Sequence, residues 1–221
     1  MFCPIFLLFL GQGEIMSVLI EIELILKKKK PGSILFISDF FEIADYDTVR
    51  KSLQRLSDKE ILIRLSKGIY YYPKFDKILG LIYPSTEKIG EAIAKRDKSR
   101  IIPSGQYALY RLGLTNQVPM NVVYLSDGSA RKINIGNQTI TFKKTSPKNL
   151  SAYHYISQLI IQGLRALGKK NVTVEHLSKI EKIVIESNES KNLRNDLLHA
   201  PVWIQNIVLG LLEKIKYDKL A

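Results

Sequence analysis

Apolar residues at helical spacing open the readable pattern. In SVLIEIELILKKKKPG, Val18, Ile22, Ile25 and Leu26 recur on one side of a helix that Pro31-Gly32 stops. SILF then reads as a short strand, and SDFFEI as a second, short helix with Ser38 or Asp39 as its N-cap. A third helix begins near Asp45. Val49, Leu53 and Leu56 fall on one side of it, and Asp47, Lys51, Gln54, Arg55 and Asp58 on the other, flanked by Thr48 and Arg50. ILIRLS and IYYYP follow as two strands pinched together at Lys67-Gly68. Helix, strand, helix, helix, strand, tip, strand is the order of a winged helix-turn-helix, expected over residues 17–75.

The remainder, residues 76–221, reads as a mixed domain. A helix is expected from Thr86 to about Asp97, then a short one capped by Ser104 and closed at Gly113. From Val122 the period changes to that of strands. NVVYLSDG, ARKINIGN and QTITFKK are separated by the turn signals Asp127-Gly128 and Gly136-Asn137, which predicts a small antiparallel meander. After Pro147 three amphipathic helices are expected, the last with Pro201 at its first position. The predicted class is therefore helix-rich α+β.

Charge adds a direction. Over 221 residues, 33 Lys and Arg face 21 Asp and Glu, for a net charge of +12. Residues 27–77 carry 12 basic and 7 acidic side chains, and residues 95–148 carry 10 and 2. This excess points to a polyanionic partner, nucleic acid before a membrane surface. One cysteine, Cys3, excludes an internal disulfide and a cysteine-based zinc site, and suits the cytoplasm. MFCPIFLLFL is shorter than the ~18 apolar residues of a membrane span and lacks the basic start of a secretory signal. Residues 1–16 therefore read as a leader or non-native extension, with Met16 as the true start.

The exposed face of the third helix has the side chains that read base edges, where Gln pairs with adenine and Arg or Lys with guanine. The expected DNA-binding set is Thr48, Arg50, Lys51, Gln54 and Arg55, with Arg64 and Lys67 of the hairpin on phosphate or minor groove. Lys27, Lys28, Lys29 and Lys30 either suit a helix C-terminus or add phosphate contacts. Arg131, Lys132, Lys143, Lys144 and Lys148 form either a second basic surface or a solvated sheet edge. Tyr70, Tyr71 and Tyr72 read as core, with Tyr71 on one strand face and its neighbours on the other. His199 beside Asp196 reads as an ordinary pair near a helix start. No Walker A loop, GxSxG or HExxH occurs, and Thr141 stands where a Mg²⁺-dependent nuclease core needs a carboxylate two before Lys143. Neither catalysis, metal nor cofactor is expected.

SKGIYYYP, IIPSGQYALYRLGLTNQVP, VVYLSDGSARKINIG and FKKTSPKNL together resemble the AbiEi-like antitoxin regulators of type IV toxin–antitoxin systems. The similarity runs from about Lys27 to Leu150, with a weaker continuation at DLLHAPVWI. The resemblance implies a cytoplasmic autorepressor that binds inverted repeats in double-stranded promoter DNA, two copies at a time, through its winged domain. It also implies an antitoxin role in abortive infection, a phage defence, against a nucleotidyltransferase-like toxin, without a stable complex with it. Two other readings stay open: an RNA-binding or nucleic-acid-processing protein using the basic meander, and a protein–protein adaptor.

Overall fold

The computed structural model describes residues 18–150, 152, 154–187 and 190–218; the expected leader, residues 1–16, lies outside them. The fold is α+β, with helices predominating. Two units divide it, Met1–Ile89 and Gly90–Ala221.

In the first unit, helix α1 (residues 18–28) turns Val18, Ile22 and Leu26 inward. Strand β1 (Ile34–Phe36) leads into a single 3₁₀ turn, Ile37–Phe40. Asp39 stands inside that turn and its carboxylate accepts the Phe36 N–H at 3.0 Å, so neither it nor Ser38 is the N-cap expected from sequence. Helix α2 (Tyr46–Asp58) is capped by Asp45, which accepts from the backbone N–H of Asp47 and Thr48. Strands β2 (Ile63–Ser66) and β3 (Ile69–Tyr71) close over Lys67-Gly68, where Gly68 supplies the left-handed residue of the turn at φ +73°. The sheet order is β1-β3-β2, antiparallel throughout. Val49, Leu53 and Leu56 of α2 join Ile22, Leu35 and Phe40 in one core. Full burial contributes about 1.5–3 kcal/mol for each such side chain.

Strict alternation fails at the tyrosines. Tyr70 and Tyr71 are both buried, because β3 is the middle strand and is covered on both faces. Tyr70 joins the helical core, and the Tyr71 hydroxyl donates to the Ile82 carbonyl at 2.6 Å. Burial pushes both phenols up from their ordinary value. Ile82 belongs to a second ribbon absent from the sequence reading, β4 (Lys74–Asp76) paired with β5 (Gly80–Ile82).

Helix α3 (Thr86–Arg96) leads into the second unit. Ser104 does not cap a helix: it ends strand β6 (Ile101–Ser104), whose Ile102 is buried and paired with Leu125. Gly105 caps helix α4 (Gln106–Arg111) instead. The closure at Gly113 holds, with its N–H on the Tyr110 carbonyl and the Leu114 N–H on that of Leu109.

The antiparallel meander is corrected more substantially. Strands β7 (Asn121–Ser126), β8 (Arg131–Ile135) and β9 (Gln138–Lys144) form the order β6-β7-β9-β8, and β7 runs parallel to β9. Ile140 and Phe142 of β9 are buried beside Val122 and Tyr124, whereas β8 buries no residue fully. The strand that buries two side chains lies inside the sheet, and the one that buries none takes the edge. Gly90 of α3 lies so close to this sheet that a Cβ there would stand 2.7 Å from the Tyr124 ring, which itself faces Tyr107 and Phe142. Helices α5 (Tyr155–Leu167), α6 (Val174–Ser187), α7 (Ser190–Asp196) and α8 (Val202–Asp218) build the second core; α7 was not anticipated. Pro201 stands one residue before α8, within the ordinary uncertainty of a helix end. Asp196 is buried and accepts from His154, through its N–H at 3.2 Å and Nδ1 at 2.9 Å, in place of the expected His199. Among the described residues no helix is long and apolar enough to cross a membrane.

Candidate nucleic-acid interface

Helix α2 exposes Arg50, Lys51 and Arg55, while Thr48 and Gln54 are half-buried. The seven expected DNA-binding residues are not equally available. Thr48 is committed to the cap, its hydroxyl donating to Asp45 Oδ2 at 2.7 Å. That bond is the largest of several that hold the Asp45 carboxyl below the usual aspartate value. Arg50 pairs with Asp47 at 3.4 Å, one turn earlier.

Gln54 is held at both ends. Arg64 Nη1 on β2 donates to Gln54 Oε1 at 3.1 Å, and Gln54 Nε2 donates to Asp58 Oδ1 at 2.9 Å. The relay spans from hairpin to helix and places a carboxylate beside the amide. A bidentate pair with adenine also uses both atoms of that amide, so the base competes with Arg64 and Asp58 for the direction in which the amide points. Sequence position did not reveal this, because Arg64 and Gln54 are ten residues apart and meet only when the hairpin folds back.

Lys51, Arg55 and Lys67 are exposed and make no side-chain hydrogen bond or ion pair among the described residues. Lys51 and Arg55 are one turn apart on α2, and Lys67 is the hairpin tip. Lys27, Lys28, Lys29 and Lys30 are exposed at the end of α1. These cations are open to phosphate or a base edge.

The five-residue surface expected around the second sheet breaks up. Arg131 is structural: it pairs with Asp97, lies 5.1 Å over the Phe142 ring, and is pulled down in pKa mainly by burial. Lys144 shares that sheet side, being two residues beyond Phe142. Lys132 and Lys143 are exposed on the opposite side, with Thr139 and Thr141. There the Thr141 hydroxyl donates to Asn121 Oδ1 at 2.9 Å and that of Thr139 to Asn134 Oδ1 at 3.3 Å. Lys148 belongs to the turn Pro147–Leu150, and its side chain is outside the described groups.

A family model described as "Family of unknown function (DUF6088)" matches residues 21–193. The chain belongs to that family. The DUF6088 match thus takes in α1 through the start of α7, covering the α2–hairpin surface and the four-stranded sheet together. No curated protein matches the chain. Among solved structures, the crystal structure of RV2827C protein from Mycobacterium tuberculosis is similar to this DUF6088 chain at 12% identity and a TM-score of 0.44, covering 81% of this chain and 71% of that one.

Proposed function

We propose that this chain is a DNA-binding transcriptional repressor whose first unit is a winged helix-turn-helix. In this reading α2 enters the major groove and the β2–β3 hairpin is the wing. The observation that carries it is the grouping of Lys51 and Arg55 on one exposed helix face, with no side-chain partner among the described residues, behind a hairpin tipped by Lys67. Lys51, Arg55 and a released Gln54 select sequence; Lys67 and Lys27 to Lys30 contact phosphate. Two copies occupy an inverted repeat in promoter DNA. The resemblance of SKGIYYYP and VVYLSDGSARKINIG extends the proposal to a cytoplasmic antitoxin of a type IV toxin–antitoxin system. It opposes a nucleotidyltransferase-like toxin without holding it in a stable complex, and it carries out no catalysis.

Fluorescence anisotropy with the chain's own upstream duplex and a scrambled duplex, over a salt series, tests the reading. Preference for the upstream duplex is expected, with log affinity falling linearly against log salt. Lys67→Ala should weaken both complexes alike and lower the salt slope by ~1. Arg55→Ala should cost ~1–3 kcal/mol on the upstream duplex and much less on the scrambled one. Equal weak binding of the unmodified chain to both duplexes would remove α2 as a reading element. A second reading, RNA binding, is favoured by the exposed Lys132 and Lys143 beside a row of Thr and Asn on one sheet side. Preference for single-stranded RNA over any duplex would support it.

A further inference from the structure

The β4–β5 ribbon presents apolar side chains that nothing in the DNA-binding reading uses. Ile78 is 93% exposed, Leu79 77%, Phe75 72% and Tyr83 62%. The tip is nevertheless rigidly built. Asp76 Oδ1 accepts the N–H of Ile78 at 2.8 Å and of Leu79 at 3.1 Å, and these bonds hold the Asp76 carboxyl below its ordinary value. The base is anchored by the Tyr71 hydroxyl on the Ile82 carbonyl. Phe75 pairs with Leu81, and Tyr83 follows two residues on, so the three share one side of the ribbon.

The same unit also carries an apolar groove of about 680 Å³, with walls of Pro31, Ile61, Tyr72, Pro73 and Phe75. Glu60 and Lys74 also line it. The unit thus holds an apolar knob, Ile78-Leu79 with Lys77 beside it, and a groove lined by one carboxylate and one ammonium group. Phe75 belongs to both.

The geometry points to a second copy of this chain as the occupant: the Ile78-Leu79 tip of each copy seats in the partner's groove about a two-fold axis, with Lys77 against Glu60. Two observations select a second copy. Knob and groove are both apolar, Glu60 of the groove offers Lys77 of the knob an opposite charge, and both lie on the same unit, so a two-fold exchange satisfies both at once and closes, leaving no free end. A two-stranded ribbon is also marginal in water unless something packs against it, and among the described residues both of its edges are open. Lys51, Arg55 and Lys67 line neither knob nor groove, so the pairing leaves them exposed. The inference rests on the repressor reading only for its purpose, the matching of two copies to an inverted repeat.

Sedimentation equilibrium on the full chain tests it. The expected result is a dimer of the 25.2 kDa chain at micromolar concentration. Ile78→Asp with Leu79→Asp should make it monomeric with unchanged circular dichroism, since both side chains are exposed. Lys77→Glu should weaken the dimer about two- to thirtyfold, the effect of two exposed ion pairs, one on each rim. Adding Glu60→Lys to Lys77→Glu should restore it, which no other occupant of the groove would produce. An unmodified chain that stays monomeric at high concentration, or a dimer untouched by the double aspartate variant, overturns the inference. Upstream-DNA anisotropy on the same samples separates the two proposals. A dimer without sequence preference sinks the repressor reading alone; sequence preference by a monomer sinks the pairing alone.

Discussion

Asp58→Ala is the substitution that most directly tests the proposal that α2 reads DNA. In the free chain Gln54 gives one hydrogen bond to Asp58 at 2.9 Å and receives one from Arg64 at 3.1 Å. Each such bond is worth about 0.5–1.5 kcal/mol net, and each competes with an adenine for the direction of the amide. Removing the Asp58 carboxylate removes one of the two competitors in advance. The operator complex should therefore tighten by about 0.5–1.5 kcal/mol, or roughly two- to twelvefold. A scrambled duplex never recruits Gln54 to a base, so it gains only from the lost negative charge, an effect that fades with salt. The assay is anisotropy with both duplexes at two salt concentrations. Tightening confined to the upstream duplex and persisting at high salt is expected, and Gln54→Ala in the same background should abolish it. Equal tightening on both duplexes would show that Asp58 acts only as a charge. No change, or weaker binding, would refute the idea that the relay holds Gln54 back.

Other substitutions report on the fold. Gly90→Ala should destabilise the second unit by about 1–3 kcal/mol in a urea titration, because the new Cβ meets the Tyr124 ring at 2.7 Å and that ring is boxed in by Tyr107 and Phe142. Ser52→Ala should raise the melting temperature of the first unit by about 4–8 °C, since it removes a fully buried hydroxyl with no partner among the described residues, a change of about 1 kcal/mol. Asp45→Asn concerns pH. Hydrogen bonds from Thr48 lower the folded-state pKa of Asp45, so its contribution is present above the unfolded value of 3.8 and is lost as pH falls through the lower folded value. Asparagine caps about as well without titrating. The melting temperatures of the two proteins should then agree at neutral pH, and the unmodified chain should lose more on acidification below pH 4. Parallel loss in both proteins would remove Asp45 from the acid response.

Much of the first unit was legible along the chain. Val49, Leu53 and Leu56 recur at a period only a helix satisfies, Asp45 stands at its start, and Lys67-Gly68 marks the turn between two short apolar runs. These are local signals, set by backbone geometry and by side chains within a turn of one another. The exposure of Lys51 and Arg55 follows from the same period. What needed tertiary structure were the contacts between distant segments. Alternation alone assigned Tyr70 and Tyr71 to opposite environments, but a middle strand covered on both sides buries each. Turn signals predicted three strands after Val122 in a meander, which would put ARKINIGN in the middle; in the fold β9 lies between β7 and β8 and runs parallel to β7. Arg131 read as a surface cation until Asp97, 34 residues away, and the Phe142 ring enclosed it. Asp196 chose His154 over its sequence neighbour. The candidate site divides in the same way: the sequence named its side chains, and the folding of β2 against α2 decided that Gln54 is occupied while Lys51 and Arg55 have no side-chain partner among the described residues. Periodicity specifies which face of an element is apolar, whereas partner choice depends on distances between elements, which exist only once the chain has packed.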